Sequence, residues 1–391
     1  MLMPADPPHD TAPVRIASVD LMRGLVMIVM ALDHVRDFFS PFPYQPTNLS
    51  QASPALFLTR WITHFCAPTF IFLAGTSAWF YWRNSGATRA SVQRFLLTRG
   101  LWLIVLELTV LNLSWNFALD SFYVQVIWAI GCSMIVLALL LYLPYGAIVA
   151  FGLVLVFGHD LLDGIKPEAF GDYALLWGFL HARYFTEWHG IGIGVLYPLI
   201  PWAGVMALGF AFGRVLEREP ARRKRFLLIV GAVAIELFLV LRLTNIYGDP
   251  NAWTTNPRGF LFSALEVLNV SKYPPSLDYL LMTLGPVLML LPLLERWRGK
   301  LADAISVFGR VPLFFYLLHV PVIHIASWTA ARIVFGGAVK IGADRLPAGY
   351  EPSLLRAYAV WILVIVALYF PCRWYADYKR RHRDNRWLSY L

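Results

Sequence analysis

The chain has 391 residues, of which 58% are hydrophobic and 15% charged, with a mean hydropathy of +0.59; that is too apolar for an ordinary soluble core and describes a polytopic membrane protein. A net charge of +9 invites a nucleic-acid partner, but the Arg and Lys residues gather in short stretches between apolar runs, where membrane topology accounts for them. Cys66, Cys132 and Cys372 are too far apart in sequence for a metal-ligand motif and too few for a disulfide scaffold.

In chain order, the first stretch, with Pro4, Pro7, Pro8 and Pro13, reads as a short disordered cytoplasmic tail over 1–14. The first apolar run, 16–38, has no small-residue cleavage site after it and is expected to be a retained span. It carries Asp20, Arg23 and Gly24 at one end and Asp33, His34, Arg36 and Asp37 at the other. A charge deep in a bilayer costs at least about 2.5–3.5 kcal/mol, so the second group points to a polar cavity rather than lipid contact. Asp20 and Arg23 are three apart, which suits either an ion pair at the interface or an arginine turned toward phosphate.

The second run, 56–82, opens with Arg60, Trp61, Thr63 and His64, and runs over 94–112, 123–142 and 144–160 follow. Between them Asn112, Ser114, Trp115 and Asn116 supply amides and an aromatic platform suited to a sugar, although interfacial Trp also occurs without any ligand. The run 193–213 contains Tyr197, Pro198, Pro201 and Trp202, whose prolines are expected to break backbone bonds and bend the span. Runs over 225–243, 278–294, 304–330 and 356–376 complete the series, the penultimate one carrying Arg310, Pro312, Tyr316, His319 and His324.

This gives an all-α polytopic bundle of about ten spans, each near the roughly 20 residues that cross a hydrocarbon core. Basic clusters at Arg83/Arg89/Arg94/Arg99, Arg214–Arg225, Arg296/Arg298/Lys300 and Arg373–Arg386 then share one face. The positive-inside rule makes that face cytoplasmic, with both termini inside. A transmembrane domain is expected over 15–376 and a basic cytoplasmic tail over 377–391. The outward loops 39–55, 113–122, 161–192, 244–277 and 331–355 include long ones rich in aromatic and polar residues, a length that is usually functional or disordered. No fixed-period repeat is evident.

Neutral imidazole takes a proton from an attacking amine or hydroxyl at physiological pH, which makes His34 and His64 the candidate bases. Asp33 or Asp37 is the candidate to orient His34, and only one of them shares its face of the helix. A Tyr316–His319 pair, one turn apart, lines either the same cavity or a neighbouring helix. There is no P-loop, GxSxG elbow, HExxH or Cys/His cluster to direct the chain toward ATP, serine hydrolysis or zinc.

The pattern Arg15-x-x-Ser18-Val19-Asp20-x-x-Arg23-Gly24 and the stretch Ala67-Pro68-Thr69-Phe70…Ala74-Gly75 resemble the catalytic domain of heparan-alpha-glucosaminide N-acetyltransferase. The Tyr197–Trp202, Lys272–Ser276 and Gly309–His319 blocks are similar to bacterial transmembrane relatives of that family. The resemblance implies transfer of an acetyl or other acyl group from cytoplasmic acetyl-CoA to an amino or hydroxyl group of an extracytoplasmic sugar or glycan. In that family an Asn closes the first helix, and His34 stands at the matching position; the family's loop histidine has no counterpart, since 39–55 contain no His.

The expected catalytic residues are therefore His34, Asp33 and His64, and the expected acetyl-CoA-binding residues Arg23, Arg99 and Arg310. Arg36, Asp37, Trp115, Asn116, Lys272, Tyr316 and His319 are expected at the acceptor. No metal is expected. The expected setting is a bacterial inner membrane, with lipid and a small-molecule or glycan acceptor as partners, no nucleic acid, and a homodimer among the open assemblies. The alternative is a transporter or flippase of a saccharide or organic anion, for which the same groups would form a midplane site; a structural subunit is a third reading.

Overall fold

The computed structural model describes residues 17–118, 120–336 and 346–382, with Asn385 and Leu388. The expected N-terminal tail 1–14, Arg15, and most of the 377–391 tail beyond His382 lie outside the described residues. The chain is mostly helical: α1 Ala17–Phe39, α2 Pro54–Ile62, α3 Cys66–Ser85, α4 Arg89–Leu106, α5 Asn112–Asn116, α6 Val126–Leu140, α7 Tyr145–Gly158, α8 Ala174–Leu180, α9 Leu199–Leu216, α10 Pro220–Thr244, α11 Phe260–Val267, α12 Leu277–Leu294, α13 Lys300–Arg310, α14 Pro312–Phe335 and α15 Leu354–Arg381.

Among the described residues, eight helices are long and apolar enough to cross a membrane: Pro54–Asn84, Arg89–Asn116, Tyr145–Leu162, Leu199–Leu216, Pro220–Thr244, Leu277–Leu294, Pro312–Phe335 and Leu354–Arg381. α1 is 23 residues long but charged at both ends, and α6 is an apolar helix of 15 residues. Each predicted run overlaps at least one helix.

Three boundaries differ from the sequence reading. The run expected from 123 opens in the strand Ser121–Val124 and is helical only from Val126. The run expected to begin at 193 starts as a helix only at Leu199, because Pro198 is its cap and the residues before it are paired in a strand. The run 304–330 is divided at Val311, whose φ −132° and ψ 50° are not helical. Pro312 follows, lacking an N–H for the α13 ladder and disfavouring helical backbone in the residue before it.

The expectation of an all-α chain is also corrected by a three-stranded sheet, with β1 Ser121–Val124, β2 Tyr184–Trp188 and β3 Ile191–Val195 in the order β1-β3-β2. β1 runs parallel to β3, pairing Ser121 with Gly192, and β2 runs antiparallel to it, pairing Trp188 with Ile191. His189 and Gly190 turn the hairpin with φ of 49° and 79°, the positive values a two-residue hairpin turn requires.

The chain divides into two compact units. One holds Ala67–Trp253 and Val270–Glu295; the other holds Ala17–Cys66, Thr254–Asn269 and Arg296–Leu391. In the first, α3 and α9 touch backbone to backbone: a Cβ on Gly75 would stand 2.1 Å from the Met206 carbonyl oxygen, and one on Gly209 2.0 Å from that of Phe72. Thr76 Oγ1 donates across the same crossing to the Gly209 carbonyl at 2.9 Å. Small residues let membrane helices approach this closely, where dispersion and interhelical hydrogen bonds replace the hydrophobic effect as glue. In this unit the α4 span also loosens into a π-turn over Glu107–Leu111. There the buried Glu107 accepts the Trp128 N–H at 3.0 Å, satisfying one of the open donors at the start of α6.

The second unit is organised around α1. Gly24 and Gly309 bring α1 and α13 together: added Cβ atoms would stand 2.1 Å from the Ile305 carbonyl oxygen and 1.8 Å from that of Asp20. On another side, Trp361 of α15 donates to the Ile28 carbonyl at 2.7 Å, and Ser327 of α14 to that of Phe38 at 2.6 Å. α1 is therefore held at its middle by α15 and at its C-terminal end by α14. Ser53 caps α2 through the Leu56 N–H, with Pro54 as its first residue, a start signal that needs no tertiary partner.

Candidate functional site

The polar end of α1 is built from side chains one turn apart. Arg36 lies beside the Asp33 carboxylate at 2.8 Å and that of Asp37 at 2.6 Å. Arg60, from α2, closes on the other oxygen of Asp33. Asp33 and Arg36 are buried, whereas Asp37 is exposed. A buried charge requires a partner, and here two cations and two carboxylates form one balanced network. Both candidate orienting carboxylates, Asp33 and Asp37, are thus bound to arginines.

His34 stands beside this network, and its Nδ1 lies 2.7 Å from Nε2 of His319 on α14. The rings stack with centroids 4.9 Å apart and planes 20° from parallel. His319 is fully buried while His34 is half-buried. The Phe315 ring stacks on His319 at 5.1 Å and Tyr316 meets it edge-on at 5.2 Å. His324, further along α14, packs against Phe38 at 4.6 Å. The face of α14 expected from the spacing of Tyr316 and His319 is thus the face turned to α1.

His64 lies buried in the 3-10 turn Thr63–Phe65 between α2 and α3. One turn before it Arg60 reaches Asp33, so α2 runs alongside the residues that flank His34. At the opposite end of α1, Arg23 forms the expected ion pair with Asp20 at 3.5 Å and donates to the Gly309 carbonyl at 3.2 Å. Arg310 is the next residue, and it is exposed. Two of the three arginines expected to meet the donor thus share one neighbourhood.

Arg99, Trp115, Asn116 and Lys272 belong to the other unit. Arg99 lies over the Phe95 ring at 6.0 Å, Trp115 is half-buried, Asn116 reaches Ser121 Oγ at 3.5 Å, and Lys272 lies over Tyr273 at 5.1 Å.

That unit holds a polar cluster that the sequence reading passed over. His159 is 2.9 Å from Asp160 and His181 is 2.9 Å from Asp163, with the two rings 5.9 Å apart. Asp160 accepts the Leu277 N–H at 3.0 Å, and Asp249 accepts from the Ser271 N–H and the Ser276 hydroxyl at 2.7 and 2.8 Å. Burial pushes the Asp249 carboxyl above its ordinary value, against the hydrogen bonds from Ser271, Asn251 and Ser276. These bonds staple three loops at the start of α12. The signal was an adjacent His-Asp at the end of an apolar run, the mirror of Asp33-His34. Arg60 was overlooked as well, because its partner lies in a different helix.

No group of three or more His, Cys, Asp or Glu side chains that could hold a metal is present among the described residues. No curated protein matches the chain. The family model described as heparan-alpha-glucosaminide N-acetyltransferase, catalytic, matches residues 15–242, from α1, with Arg23, Asp33 and His34, to the end of α10. That is more than half of the chain, which therefore belongs to this family of membrane acyltransferases.

Proposed function

We propose that the chain moves an acetyl group from acetyl-CoA, supplied on the cytoplasmic side, to an amino or hydroxyl group of an extracytoplasmic sugar or glycan. Ten spans, counting α1 and α6 with the eight longer or more apolar helices, keep both termini in the cytoplasm of a cell whose inner membrane holds the protein. The excess of Arg and Lys in alternate loops supports this count.

The observation that carries the reading is the half-buried His34 in contact with His319, within a chain that belongs to an acyltransferase family. The acceptor's amine or hydroxyl attacks the thioester carbonyl carbon, and His34 takes the proton that leaves the nucleophile. The tetrahedral intermediate collapses, the C–S bond breaks, and the departing thiolate receives that proton from His34. The ion network of Asp33, Arg36, Asp37 and Arg60 keeps this end of α1 in place and offers polar contacts to a hydroxylated acceptor. Arg23 and Arg310, at the other end, are proposed to meet the donor's phosphates, for which guanidinium is well shaped.

The test is to incubate the detergent-purified protein with radiolabelled acetyl-CoA and a panel of amino sugars and polyols, comparing wild type with His34→Ala. Transfer that depends on His34 is the expected outcome. Turnover unaffected by His34→Ala in a normally folded protein defeats the assignment of the base, and absence of CoA binding or turnover defeats the enzyme reading altogether.

A further inference from the structure

We infer that His319 is a positioning residue for His34: it determines which nitrogen of His34 acts as the base and accepts the Nδ1–H of the imidazolium that forms. The inference rests on the reading of His34 as proton acceptor. It also gives His319 a different task from the acceptor contact expected from sequence, since a fully buried ring is shielded from a sugar.

The argument is one of donors and acceptors. Nδ1 of His319 faces two carbonyl oxygens of its own helix, that of Phe315 at 3.1 Å and that of Tyr316 at 2.8 Å. A carbonyl only accepts, so Nδ1 of His319 carries a hydrogen. In the neutral ring Nε2 then holds the lone pair. That lone pair meets Nδ1 of His34 at 2.7 Å, so Nδ1 of His34 donates. The base of neutral His34 is therefore its Nε2.

The stacking of Phe315 and the edge contact of Tyr316 leave His319 little freedom to turn and undo this assignment. When Nε2 of His34 takes the acceptor's proton, the imidazolium already has its Nδ1–H on a nitrogen base. His319 itself stays neutral, since a charge on a fully buried ring is costly, and its own Nδ1–H remains on the two carbonyls. The proton that reaches the thiolate leaves from Nε2 of His34, and the hydrogen between the rings stays on Nδ1 of His34, so the pair ends as it began.

The experiment uses the full chain in detergent or bilayers, labelled with ¹⁵N-histidine, with the His34 signals assigned by their loss in His34→Ala. In wild type, Nδ1 of His34 is expected to resonate as protonated and Nε2 as unprotonated. His319→Leu should shift the proton toward Nε2 and lower kcat on the order of 10- to 100-fold with little change in KM, and His319→Gln, whose amide oxygen accepts from Nδ1, should restore most of the loss. If His34→Ala abolishes transfer while His319→Leu changes neither kcat nor the His34 signals, the inference falls and the base reading survives. If His34→Ala leaves transfer intact, the base reading itself falls. Should His319→Leu fail to fold, the wild-type spectrum decides: a proton on Nε2 of His34 overturns the inference.

Discussion

The carboxylate of Asp33 is shared by two arginines, Arg36 one turn later in α1 and Arg60 from α2. Removing it would leave the buried Arg36 guanidinium and the half-buried one of Arg60 with one remaining carboxylate between them. Asp33→Ala is therefore expected to cost about 3–5 kcal/mol, read as a lower melting temperature in detergent. The double variant Asp33→Leu with Arg60→Met should recover part of that loss; a double variant less stable than Asp33→Ala would refute the shared-carboxylate account.

The α1–α13 crossing makes a sharper steric prediction. A methyl at Gly309 would fall 1.8 Å from the Asp20 carbonyl oxygen, whereas one at Gly146 meets nothing within 4 Å. Gly309→Ala should destabilise by about 1–3 kcal/mol or more, and Gly146→Ala should be neutral or slightly stabilising, as Ala is the better helix former. Equal melting temperatures for the two variants would contradict the packing.

Tyr247 offers a pH test outside the spans. Burial, followed by the Asp160 and Asp163 carboxylates, pushes its phenol up from 10.0 to about 12. The unfolded chain thus gives up this proton first, and the group's contribution to stability falls as pH rises from about 10 to about 12. Below that window the contribution is complete. Tyr247→Phe should show a shallower alkaline decline in melting temperature than wild type, and parallel curves would disprove the shift.

Glu107 holds the N-terminus of α6 through the Trp128 N–H. Glu107→Leu should cost about 1–3 kcal/mol, the usual penalty for a buried donor left without its acceptor. Glu107→Gln, which keeps an acceptor oxygen, should cost less. Reversed ranking would show that the carboxylate is not the cap.

Cysteine labelling tests the ten-span topology. A thiol introduced at Thr47 should react with an impermeant reagent from outside the cell, and one at Arg298 only after permeabilisation. The opposite pattern would invert the bundle.

Much of the helical scaffold was legible because its cause is local. Hydrophobic runs long enough to cross a bilayer form helices wherever they lie, and caps such as Ser53, Ser276 and Ser353 mark their starts in the chain itself. The misread boundaries had non-local or subtle causes. Residues 191–195 became a strand because segments 121–124 and 184–188 came to pair with them, and the break at Val311 rests on a single proline that the apolar run concealed.

The sequence by itself determined the membrane class, the family and the charged end of α1 that carries His34, since each follows from local composition or a contiguous motif. The tertiary structure alone decided what His34 touches. Its partner is 285 residues away, and Asp33, its neighbour in sequence, pairs with arginines instead. Adjacent residues on a helix point about 100° apart, so proximity along the chain cannot choose a side chain's partner; the packing of α14 and α2 against α1 does.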